Sequence, residues 1–176
     1  MKLELEDYRH GKYKYEPKLG ELRLIKDNNM WGYAYDEDNI VIPGQFHIAN
    51  EFYSRDYAVV MKDGYYGVIN TKGETVIPFE YHNILYCGLY NDNYLVVHKY
   101  LKKGVVNLEN EVLIPIEYDR VFQYDPNVFR VKFGHKYGLI NTKGEIILPI
   151  IYDSMKMRLM TKTTMSLSFK MAKWAA

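Results

Sequence analysis

The chain has 176 residues, of which 48% are apolar and 26% charged, a composition that suits one compact domain with a real core. Its formal net charge of +1 gives no global field that would steer it to nucleic acid or to an anionic membrane. Cys87 is the only cysteine, which excludes an intrachain disulfide and a cysteine-based metal cluster.

Met1-Lys2-Leu3-Glu4-Leu5-Glu6-Asp7 alternates charged and apolar residues and lacks the apolar stretch of a signal peptide. No run approaches the roughly 18 apolar residues of a membrane span, so a cytoplasmic setting is expected. Tyrosine is the outlier, with 18 copies against 7 Phe and 2 Trp. Tyr favours strands and half-buried surfaces, and it is also enriched in recognition faces.

Three segments are expected: an N-terminal segment over 1–20, a repeat domain over 21–153 and a distinct tail over 154–176. Within the middle segment, Trp31-Gly32, Tyr66-Gly67, Lys103-Gly104 and Tyr137-Gly138 open four matching stretches. Pro43, Pro78, Pro115 and Pro149 each fall 11 residues after their glycine, and Phe46, Tyr81, Tyr118 and Tyr152 each fall 14 after it. Self-similarity at one period marks a repeat architecture.

Taken in order, each copy predicts three strands. The first precedes the glycine: Leu22–Ile25, Tyr57–Val60, Tyr94–Val97 and Val128–Val131. A polar turn such as Lys62-Asp63-Gly64 leads to the glycine strand, which continues as Val68-Ile69-Asn70, Val105-Val106-Asn107 or Leu139-Ile140-Asn141. Asn70-Thr71-Lys72-Gly73 and Asn141-Thr142-Lys143-Gly144 then read as turns, with Asn110 replacing the glycine in the third copy. The first copy has the irregular Tyr35-Asp36-Glu37-Asp38, as befits a terminal repeat. The third strand, such as Thr75-Val76-Ile77 or Val112-Leu113-Ile114, is expected to end at its proline, which has no N–H for a ladder.

One meander cannot cover its own apolar face, so neighbours must stack. The predicted fold is therefore all-β: tandem three-stranded antiparallel meanders stacked as an open curved solenoid, with a propeller-like ring as the alternative. The tail, 154–176, holds Lys156, Arg158, Lys162, Lys170, Lys173 and no acid. Removing those five charges from +1 leaves the preceding residues at −4. Met155–Leu159 and Met165–Met171 are β-like and predict a hairpin closing the last repeat, beside the alternatives of a disordered tail and a partner-docking segment.

The aromatic-Gly-apolar-apolar-Asn pattern, the turn glycine and the apolar run ending in Ile-Pro resemble the WG (KWG) repeat family. Trp31-Gly32 carries the two residues literally, and Tyr66-Gly67 through Tyr81 is the fullest match; Tyr66, Lys103 and Tyr137 depart from the tryptophan. The resemblance implies a bacterial or phage β-repeat module without a common enzyme activity, used for protein contacts.

No phosphate-binding loop, dinucleotide fingerprint, nucleophile elbow or zinc-binding helix motif is present, so neither enzyme activity nor a cofactor is expected. Position 15 after each glycine holds His47, His82, Asp119 and Asp153, a column that reads as turn caps ahead of metal ligands. The segments between repeats, around Phe52–Asp56, Tyr86–Tyr90 and Phe122–Asp125, are the candidate partner-binding loops. Tyr53, Arg55, Tyr86, Tyr90 and Tyr124 are the candidate contact residues, since Tyr and Arg dominate contact hot spots. The expected function is a non-catalytic protein-interaction module, in its sharper form an inhibitor of a partner enzyme of the phage anti-defence or toxin-immunity type; the alternative is a sugar or small-ligand binder using tyrosine rings.

Overall fold

The computed structural model describes residues 21–36, 38–52, 56–86, 94–160 and 164–170, with side chains as far as Met155. The first sheet contains β1 (Arg23–Asp27), β2 (Met30–Ala34) and β3 (Ile40–Phe46), in that order. The second contains β4 (Ile48–Ala49), β5 (Tyr57–Lys62), β6 (Tyr65–Asn70) and β7 (Thr75–Tyr81). The third runs β8 (Asn83–Tyr86), β9 (Tyr94–Lys99), β10 (Lys102–Asn107), β11 (Val112–Tyr118), and the fourth β12 (Arg120–Asp125), β13 (Val128–Phe133), β14 (Lys136–Asn141), β15 (Ile146–Tyr152). A hairpin of β16 (Ser154–Met160) and β17 (Thr164–Lys170) follows, as the tail's pattern predicts.

The fold is thus all-β and built of tandem antiparallel meanders, and among the described residues no sheet closes into a barrel. The second, third and fourth sheets each add one strand to the three expected, while the first keeps three. The stretches between repeats contribute these strands: β4, β8 and β12 each pair with the strand that follows them, and β12 takes in Phe122–Asp125.

The repeat glycine explains the rest of the local geometry. In the third sheet Lys103 pairs with Tyr118 and Val105 with Ile114, so Gly104 alone faces Pro115, Ile116 and Glu117. The first and fourth sheets show the same mismatch at Gly32 and Gly138. This is a bulge, in which extra residues on one strand arch over a single residue of its partner. A Cβ on Gly104 would lie 2.5 Å from the Ile114 carbonyl oxygen; on Gly67 it would meet that of Ile77 at 2.8 Å, and on Gly138 that of Leu148 at 2.7 Å. Only glycine admits such an approach. The proline sits inside the arch, where no ladder bond asks for its missing N–H. For that reason β3, β7, β11 and β15 run through their prolines instead of ending there.

The turn after each glycine strand is closed locally. Asn107 Nδ2 donates to Glu111 Oε2 at 2.7 Å, while the Glu111 N–H donates to Asn107 Oδ1 at 2.8 Å. Asn70–Glu74 and Asn141–Glu145 repeat the pair, each with Nδ2 to Oε2 at 2.6 Å. Gly73, Asn110 and Gly144 take the left-handed position, with φ of 83°, 62° and 81°.

Two compact units result, one of residues up to Asp63 with Val68–Thr75, the other of Gly64–Gly67 with residues from Val76 on. In the first, Tyr33 is fully buried, its ring 4.8 Å from that of Phe52, and its hydroxyl donates to the Asn50 carbonyl at 2.6 Å. In the second, Val96, Val105, Ile114 and Tyr118 pack with Val121, Phe129, Val131 and Ile140 from the next sheet. Tyr81 is buried there as well; its hydroxyl donates to Asn110 Oδ1 at 2.9 Å, and burial, with Glu80 alongside, pushes its pKa up to about 12.

The arch makes a specific prediction. Gly104→Ala drives a methyl into backbone, which cannot rotate away, and should destabilise the protein by about 3 kcal/mol or more. Gly134→Ala, at an open turn position with φ 59°, should cost only about 1 kcal/mol of backbone strain. Paired urea denaturation of the two variants measures the difference.

Candidate functional site

Within each meander the hairpin before the glycine strand turns at one end of the sheet, opposite the Asn–Glu turn. The joints between repeats lie at this hairpin end too. The N–H groups of His47, His82 and Asp119 donate to the carbonyls of Met61, His98 and Lys132, each near the end of the strand entering the next hairpin. In the second, third and fourth copies the residues 2 before and 15 after the glycine are brought together.

The backbone of these hairpins separates one copy from the others. Asn28 and Asn29 have φ of 48° and 64°, and Asp63 and Gly64 have 52° and 85°. Two consecutive left-handed residues make the turn whose twist matches a hairpin, and Asn, Asp and Gly tolerate it best. The third hairpin places Tyr100 and Leu101 there, with φ of 49° and 66°. Each such residue costs about 1–2 kcal/mol, more for bulky side chains. The fold recovers little of that cost by burial, because Tyr100 is 78% and Leu101 95% exposed.

Other rings and charges of the second unit flank this turn. The His82 ring lies 5.3 Å from Tyr100 and 5.7 Å from Tyr65, which is 44% exposed. Lys102 Nζ lies 5.5 Å from the Phe133 ring, itself 53% exposed. Lys102 also reaches Asp119 Oδ1 at 2.6 Å, and the Gly134 N–H donates to Asp119 Oδ2 at 2.7 Å. The Lys102 bond and then the Gly134 amide hold the Asp119 carboxyl below the usual aspartate range. Lys136 pairs with Asp153 in the same way at 2.7 Å. Positions 17 residues apart therefore hold Lys–Asp in two copies and Tyr–His in another.

The column at position 15 is accordingly structural. Asp119 caps the next hairpin turn as expected, whereas His82 contributes its ring to the aromatic row. Among the described residues no three His, Cys, Asp or Glu side chains gather as metal ligands would.

The loop residues read from the sequence fall elsewhere. Tyr86 ends β8 and Tyr124 lies in β12; both are half-buried and in contact with neighbours. Both strands point away from the hairpin end as they reach these residues. Tyr53, Arg55 and Tyr90 lie outside the described residues, as does Cys87. Phe52 belongs to the core of the first unit. Tyr100, Leu101, Lys102 and Phe133 were not singled out by the sequence reading, although aligning the copies sets Tyr100-Leu101 against Asn28-Asn29 and Asp63-Gly64.

A family model described as "WG containing repeat" matches residues 31–66, 66–97, 104–137 and 137–157. No curated protein matches the chain.

The Asp119 cap has a pH signature. A carboxyl with a lowered pKa stabilises its contacts above the ordinary aspartate value and loses them as pH falls through the lowered one. The Gly134 amide resonance should titrate with a midpoint below the ordinary 3.8, and Asp119→Asn should abolish that titration.

Proposed function

Since the chain belongs to the WG-repeat family, we propose that it is a non-catalytic protein-interaction module whose contact centre is the Tyr100–Leu101 hairpin. The observation that carries this reading is the pairing of backbone strain with exposure. Residues kept in an unfavourable conformation while largely exposed, with one ring contact between Tyr100 and His82, point to a role outside the folded monomer. Tyr100 and Leu101 supply apolar area, and Tyr65, His82 and Phe133 surround them with further ring surface. That is the composition of an interface core with a polar rim, the rim being Lys102–Asp119 and Lys136–Asp153.

The proposal extends to inhibition. A cytoplasmic binder of this size acts on its partner by occupancy, as a phage anti-defence factor or a toxin-immunity protein does when it blocks an enzyme. A sugar- or small-ligand-binding role draws on the same exposed Tyr100 ring, and differs in what saturates it.

The test uses Tyr100→Asn with Leu101→Gly, which restores the residues that the turn prefers. This variant should be more thermostable than the parent by about 1–2 kcal/mol, because it relieves left-handed strain. In affinity capture from host lysate it should lose, by at least about tenfold, one stoichiometric protein that the parent retains. If that protein is an enzyme, titrating the parent should lower its activity, and the variant should not. Capture of the same protein by both forms would overturn the assignment of the hairpin. Saturable binding of an oligosaccharide, with no protein retained, would replace the interaction reading with the sugar one.

A further inference from the structure

A second surface of the second unit points to the chemistry of the partner. In the fourth sheet Arg120 lies opposite Lys132 and Phe122 opposite Arg130, with Tyr137 beside Lys132 on the next strand. Alternation along antiparallel strands puts all five on one face. The Arg130 guanidinium is 5.1 Å from the Phe122 ring centre and 5.9 Å from that of Tyr137, while Lys132 Nζ is 5.7 Å from Tyr137. Arg130 donates one hydrogen bond, to the Met155 carbonyl at 3.0 Å, and its Nε is buried without a partner.

The preceding copy shows what these positions hold when they only pack. Its register sets Asn83 opposite His98 and Leu85 opposite Val96, with Lys103 beside His98. Val96, the counterpart of Arg130, is 6% exposed and belongs to the core cluster; Leu24 holds the same place in the first sheet, opposite Tyr33. At these five positions the last copy has Arg120, Phe122, Arg130, Lys132 and Tyr137 where the preceding one has Asn83, Leu85, Val96, His98 and Lys103, so the buried valine has become an arginine.

Among the described residues these three cations form no ion pair, although Lys132 contributes to the field that lowers the Asp119 pKa. Lys99, Lys102 and Lys136 each pair with a carboxylate at 2.6–2.8 Å, whereas none of Arg120, Arg130 and Lys132 pairs with an acid. The tail that follows adds Lys156 and Arg158 to the sequence without an acid. Three neighbouring cations repel one another unless an anion joins them.

We infer that the Arg120–Phe122–Arg130–Lys132 face of the fourth sheet binds an acidic segment of the partner protein, its carboxylates paired with the two arginines and Lys132. The rings decide between acidic protein and single-stranded nucleic acid. Bases bind such sheets by stacking on free aromatic faces, but here Phe122 and Tyr137 already carry the Arg130 guanidinium and Lys132. The rings hold Arg130 and Lys132 in place, and the exposed Arg120 guanidinium suits a carboxylate, which it can engage through two parallel hydrogen bonds.

This inference rests on the interaction reading above, yet the two can fail separately, since they depend on different residues. The probe is a fluorescein-labelled glutamate decapeptide, followed by anisotropy with the full chain. The parent should bind it, and affinity should fall steeply between about 50 and 300 mM salt as the charges are screened. Arg120→Ala with Lys132→Ala should weaken binding at least about tenfold. Arg130→Leu, which installs the residue of the first sheet, should weaken it while leaving the fold intact by circular dichroism. Tyr100→Asn with Leu101→Gly should leave peptide binding unchanged. Failure of the peptide to bind at low salt, or equal binding by the Arg120/Lys132 variant, would overturn the proposal. So would tighter binding of a thymidine decanucleotide than of the peptide, or self-association that the Arg120/Lys132 variant abolishes, which would assign the face to a second copy.

Discussion

Everything in this chain depends on one close approach, that of a strand carbonyl to a bare Cα. Where Ile114 O lies against Gly104, the partner strand must arch, and the arch takes up three residues against one. Proline fits the arch because it has nothing to donate there. Past the arch the strand continues to Tyr118 and passes through Asp119 into the next sheet, whose entering strand accepts the Asp119 N–H. The glycine thus governs more than its own contact, since it sets where the chain leaves one sheet and joins the next.

That arrangement places the variable chemistry. The Asn–Glu turns at one end satisfy their own donors and acceptors and are nearly identical in three copies. At the other end, joints and hairpins meet, and there the copies differ: Lys102 with Asp119, Tyr65 with His82, Tyr100-Leu101 in place of Asp63-Gly64. Strain and exposure coincide only in the third hairpin. A fold under selection for stability alone would have kept Asn or Gly at that turn.

The sequence revealed the frame because the frame is periodic. Gly32, Gly67, Gly104 and Gly138, each with a proline 11 residues on, fixed the repeat, the strand order and the turns. The extra strand was hidden because β4, β8 and β12 differ in length and share no apolar pattern; Ile48-Ala49 and Arg120–Asp125 have only backbone pairing in common. The strand ends were misplaced since a proline normally stops a ladder, and the arch that exempts it is visible only in the register. The candidate site was harder. Counting tyrosines favoured the long loops, with Tyr86 and Tyr124, whereas Tyr100 is conspicuous only once its φ is known. Arg130 was legible in principle, as a cation in a column of Leu24, Val59 and Val96, but nothing in sequence alone told a stacking face from an outward one.

The pairing of positions 17 residues apart has a consequence for how such proteins diverge. Lys102–Asp119 and Lys136–Asp153 each sum to zero formal charge, and Tyr65–His82 adds nothing to the formal count. Exchanging one pair for another rewrites the local pattern of rings and charges while the chain's net charge stays fixed. Each of these three joints can therefore be altered two residues at a time, with the glycine arches beneath left as they are.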